Sequence, residues 1–174
     1  MYALHGKMLH DPNQMQTFIL AKAVWLHVIS GILWIGLLWY FNFVQIPTMP
    51  KIPAELKPAI GKFIAPEALF WFRWSALATV VTGALVAYLK GYLVPALTFA
   101  GPVTIGVGMW LALIMAANVW FIIWPNQKKA LGIVPVKNDA EKAAAARLAM
   151  LTSRVNFVLS LPMLYCMVAQ NIAG

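Results

Sequence analysis

Cysteine is almost absent from this chain. Cys166 stands alone, so no disulfide forms within the chain, and without a CxxCH motif no c-type haem is covalently attached. Carboxylates are nearly as scarce: five among 174 residues, none of them inside an apolar run. Ion pumps and secondary transporters place acidic groups at mid-membrane, so their absence argues against both. Charged residues amount to 10% of the chain and hydrophobic ones to 62%, whereas a soluble domain carries roughly 25% charge. A soluble fold with an apolar core and a polar surface does not accommodate that balance. There is no glycine-rich phosphate loop. Ser30, Ser75, Ser153 and Ser160 have no His–Asp partnership in the sequence that would make one of them a nucleophile. The lead MYALHGKMLHDPNQMQT, residues 1–17, has too short an apolar stretch for a cleaved signal peptide. The first apolar run is expected to act as its own insertion signal and to remain. His5, His10 and Asp11 in that lead match no metal-ligand spacing.

What is abundant is apolar sequence in long runs, and it predicts an all-α protein, a four-helix transmembrane bundle. About 20 residues of helix cross a hydrocarbon core. Four runs meet that length, over about 18–46, 68–89, 103–124 and 147–172, forming a single membrane domain from 18 to 174. Pro47, Pro50, Pro53 and Pro58 are expected to end the first helix, and Pro125 the third. Pro162 should kink the fourth. Gly83, Ala87 and Gly91, and again Gly108, Ala112 and Ala116, recur every four residues, a pattern that lets helices approach closely. EKAAAAR, residues 141–147, favours helix and should begin the fourth helix outside the lipid, capped by Asn138 or Asp139.

The net charge is +8. A nucleic-acid binder would need a soluble basic face, and here the cations lie between apolar runs. Lys51, Lys57, Lys62, Lys128, Lys129, Lys137 and Lys142 fall in the connections after the first and third runs; Lys7, Lys22 and Lys90 fall on the other side. The positive-inside rule therefore predicts cytoplasmic basic connections and both termini outside a bacterial inner membrane. Arg73, within LFWFRW, and Arg154 read as interfacial anchors that snorkel to headgroups.

One titratable group sits within the first run. WLHVISGILWIGLLWYFNF, residues 25–43, is uncharged and contains His27. An intramembrane histidine needs a partner. Its helical neighbours are Ala23, Ser30, Gly31 and then Trp34, Leu38 and Asn42. The bland reading is a histidine hydrogen-bonded to an adjacent helix. The functional reading is an axial ligand to haem b, with the small residues leaving a slot for the porphyrin. No second intramembrane histidine exists. Met109, Met115, Met150, Met163 and Met167 are the available soft ligands, although methionine usually packs.

That opening, together with NVWFIIWPNQKK at 118–129 and SRVNFVLSLPMLYCM at 153–167, resembles the membrane domain of bacterial cytochrome-c-type urate oxidases. Four-helix protoporphyrinogen oxidases and copper-resistance membrane proteins share a similar opening. Pro125-Asn126-Gln127 and Ser160-Leu161-Pro162 are the more particular features. The resemblance implies a haem-associated membrane oxidase passing electrons from urate to a fused cytochrome c. The chain is shorter than that pattern and carries Gly106 and Val155 where it leads to histidines, so His27 alone carries over. The expectation is a non-catalytic accessory subunit of a larger respiratory or photosynthetic electron-transfer complex, in contact with lipid and other membrane subunits. The alternative is a small b-haem redox protein or oxidase that uses His27.

Overall fold

A computed structural model describes residues 12–170 and 172; His5, His10 and Asp11 lie outside them. Helices are the regular structure of the described residues, and four are long and apolar enough to span a membrane. We label these α1 (Pro12–Tyr40), α2 (Ala65–Leu89), α3 (Val103–Ala117) and α4 (Asp139–Ala169). The chain is a multi-pass membrane domain by length and composition.

The helices run further than the prolines suggest. Past Tyr40 the chain enters a π turn, Phe41–Gln45, and then continues as helix through Pro47 to Lys51. A second π turn, Ile60–Ile64, leads into α2 and precedes Pro66. A third, Asn118–Ile123, follows α3 and precedes Pro125, after which helix resumes over Trp124–Ala130. The three share one cause. Proline has no N–H, and its ring collides with the carbonyl four residues back. In each case the residue before the proline donates five residues back: Ile46 N–H to Phe41, Ala65 N–H to Ile60, Trp124 N–H to Val119. The widened turn absorbs the conflict, and the helix bends its ladder instead of ending. The expected stops at Pro47 and Pro125 are thus not stops. α4 likewise continues through Pro162.

Two helix ends come from glycine. Gly91 and Gly132 have φ of 77° and 73°, the left-handed conformation that suits a residue without Cβ. Tyr92 N–H bonds Ala87 O and Gly91 N–H bonds Tyr88 O; Ile133 N–H bonds Lys128 O and Gly132 N–H bonds Lys129 O. Both are Schellman caps. Gly91 is therefore a helix terminator and not the third member of a packing ridge, and a Cβ built on it meets nothing. Gly108 does belong to one, since a Cβ there would approach Cys166 Cβ to 2.9 Å.

α4 begins with a side-chain cap at Asn138. Its Oδ1 accepts from Glu141 N–H at 2.9 Å, while Glu141 accepts from Lys137 N–H at 2.9 Å and pairs with Lys129 at 2.9 Å. The two-way exchange is a variant of the capping box.

α1 packs along α2, and α3 along α4. The two pairs join in a core made by Trp34, Leu38 and Phe41, by Leu69, Phe72 and Ala76, by Met115, Val119 and Ile123, and by Met163. This core lies mainly in the half of the bundle nearer the basic connections. At the opposite end the short helix Leu93–Leu97 folds against α3, with Trp110 Nε1–H donating to Leu97 O at 3.0 Å.

Candidate functional site

His27 lies on the inner stripe of α1, between Ala23 and Trp34, both buried. Its ring rests against α2. Nδ1 is 2.9 Å from Thr79 O and 3.3 Å from Thr82 Oγ1. A carbonyl only accepts, so Nδ1 carries the proton. Thr82 donates its own hydroxyl to Ala78 O at 2.6 Å, which leaves its oxygen as an acceptor too. The Nδ1–H is thus shared between two acceptors, and Nε2 keeps the lone pair. Among the described residues Nε2 has no hydrogen-bond partner.

The approach requires Gly83. A Cβ at that position would sit 2.8 Å from His27 Cε1 and 3.1 Å from Nδ1. α2 therefore fills the space beside the imidazole. The slot anticipated beside α1 is occupied by Thr79 and Gly83; Thr79 Cγ2 also lies 3.8 Å from a Cβ built on Gly31. A planar cofactor would have to meet Nε2 from outside the α1–α2 joint.

Three of the five candidate methionines are accounted for by packing. Met115 and Met163 are core residues, and Met167 packs against the same cluster. No group of three or more His, Cys, Asp or Glu side chains comes together among the described residues. Gly106 is buried, and a Cβ there would overlap the Ala96 carbonyl of the short helix. Val155 is 51% exposed on the outside of α4. Neither position would hold an inward ligand on this backbone.

A set of polar ties runs between helices, from α3 to α4 and from the α1 segment to α4, most of which the sequence did not single out. Asn156, fully buried on α4, donates to Met115 O at 2.9 Å and accepts from Asn118 Nδ2 at 2.8 Å. Asn42 donates to Ser153 Oγ at 3.0 Å, and Trp39 Nε1 to Ser160 Oγ at 3.0 Å. Asn42 and Asn118 both stand in π turns. An asparagine inside an apolar run was the available signal, since interhelical amide bonds are a common tie in lipid.

Residues 94–173 match the family model described as urate oxidase N-terminal. A search of curated proteins and one of solved structures found no match for the chain. The urate oxidase N-terminal-like region takes in the short helix, α3 and α4, and both later motifs. The helix bearing His27 lies outside the matched residues.

Proposed function

We propose that this urate oxidase N-terminal-like membrane domain is a non-catalytic accessory subunit of a larger membrane electron-transfer complex. The supporting observation is what its interior polar groups do. Asn118, Asn156, Ser153, Ser160 and Trp39 are taken up in interhelical bonds, and the places where ligand histidines would be sought hold a close-packed glycine and an outward valine. Such an interior fixes a shape and leaves the outer apolar faces for lipid and neighbouring subunits. The count of lysines at the two ends favours cytoplasmic basic connections and outward termini in a bacterial inner membrane. Purification from native membranes in mild detergent tests the reading. The chain should elute with other membrane subunits in a particle larger than itself; a lone monomer would defeat the proposal.

The imidazole geometry supports a second reading, a b-type haem held by His27. A metal-ligating histidine almost always donates its other ring N–H to a carbonyl or carboxylate, and the Nδ1–H bond to Thr79 O is of that kind. A bound haem would supply one-electron chemistry. In this reading Thr79 and Thr82 fix the tautomer and ring plane, and Gly83 admits the ring. The visible spectrum of the purified protein decides it. A reduced b-type band that His27→Ala abolishes is the expected result; no band, or one indifferent to the substitution, eliminates haem at this position.

A further inference from the structure

A groove of about 430 Å³ opens where α2 meets the helix that follows α3, lined by Lys62, Phe63, Glu67, Arg73, Trp124 and Ile133, among others. Arg73 is held over the Trp124 ring, 3.9 Å from its centroid, and over Phe70 at 5.2 Å; Lys128 approaches the same Trp124 ring at 5.6 Å. The guanidinium spends one donor on Leu69 O, at 3.4 Å. It has no carboxylate within ion-pair distance, because among the described residues the ion pair formed is Lys129–Glu141. Glu67, the acid in the groove wall, accepts from Trp71 Nε1 at 2.9 Å. Two lining cations, Lys62 and Arg73, against one carboxylate leave the groove positive. Stacking on Trp124 orients the guanidinium fork without consuming its N–H donors, and such a fork suits phosphate oxygens.

The level in the membrane matters as much as the charge. The continuous helix 57–89 has 33 residues, or about 50 Å at 1.5 Å per residue, against a hydrocarbon core of about 30 Å. The excess lies at its polar start, which puts Arg73, Trp71 and Trp74 near the interface, where aromatic residues collect. Beside the cations stand apolar walls open to the surroundings: Phe63 is 75% exposed and Ile133 53%. A free anion would use the cations and leave those walls uncovered. A lipid with an anionic phosphate headgroup would use both.

We propose that this groove is a binding site for one anionic phospholipid, its phosphate held by Arg73 and Lys62 and its glycerol and upper acyl region lying on Phe63, Phe70 and Ile133. The site is separate from His27 and independent of the functional reading above. Native mass spectrometry of the protein in micelles containing equal amounts of phosphatidylglycerol and phosphatidylcholine tests it. The wild type should retain one phosphatidylglycerol in preference to phosphatidylcholine. Arg73→Gln and, separately, Lys62→Gln should each lower that preference about fivefold, the effect of one interfacial cation. Arg154→Gln, an exposed cation on α4 outside the groove, should leave it unchanged. Lys62 is exposed, so its variant reports even where Arg73→Gln fails to fold. Equal retention of the two lipids, or an unchanged preference in Lys62→Gln, overturns the site. Displacement of the lipid by millimolar inorganic phosphate would also overturn it and assign the groove to a free anion.

Discussion

Toward the basic connections, all four helices contribute to one core; Asn42 and Trp39 stitch the first pair to α4, and Asn118 and Asn156 tie α3 to α4. Toward the termini, α1 and α2 meet around His27. Large apolar side chains turn outward in both halves, Trp25, Ile32, Val81 and Tyr88 in one and Phe43, Phe63 and Phe121 in the other, and water would penalise both. Lipid does not, because its tails are as apolar as leucine, so close packing and interhelical hydrogen bonds are what distinguish a stable contact from a bare one. On this view the basic half is tied by Asn42–Ser153, Trp39–Ser160 and Asn118–Asn156, and the terminal half of the α1–α2 joint by His27.

The contrast is sharpest when an equivalent apolar truncation is made in each half. Phe72→Ala removes a fully buried ring that meets Phe41 edge-on at 5.6 Å and should cost about 3 kcal/mol. Ile32→Ala removes a side chain that is 65% exposed and should stay within about 0.5 kcal/mol. Unfolding by SDS in mixed micelles measures both. Similar losses would mean that the terminal half is packed as tightly as the core.

The terminal half nonetheless has tight points, and the one at the histidine is Gly83. Gly83→Ala would place a carbon 2.8 Å from His27 Cε1, moving the ring and stretching its bond to Thr79. A loss of about 1–3 kcal/mol is expected. Made on a His27→Ala background, the same change should be nearly neutral, because the ring it strikes is gone. A double-mutant cycle of unfolding free energies reads this coupling. Additive losses would separate Gly83 from the histidine. In the basic half, Asn156→Ala leaves Met115 O and the Asn118 amide without their partner and should cost about 1–2 kcal/mol by the same titration. A neutral result would remove this tie from the explanation of how α3 and α4 are joined.

Helix number and type were legible because the apolar runs are long and uncharged. His27 was legible as a partnered group because an imidazole in lipid has few other options. The helix ends were not, for a specific reason. Pro47 and Pro125 read as breakers in isolation, and only the preceding backbone shows that a π turn accommodates each. Gly91 had the spacing of a packing ridge, yet its left-handed φ makes it a cap. Spacing alone does not separate those uses. The slot beside His27 was misread because a one-helix view leaves out the neighbour, and Thr79 and Gly83 of α2 occupy that space.

The smallest expected effect concerns where the basic half begins. Asn138 caps α4 at a point exposed to solvent and ahead of the core, and Glu141 ties the same turn to Lys129. Removing the cap in Asn138→Ala frees the Glu141 N–H and should destabilise the first turns by about 1 kcal/mol. Those turns make few core contacts, so the loss should be local. Amide exchange should quicken over Asp139–Ala146 and hold steady at Asn156 and beyond, which belong to the packed region. Were exchange instead to quicken along all of α4, the cap would be part of the core's cooperative unit. The boundary between held and bare regions would then lie at the loop and not at the first buried turn, Ala145–Ala149.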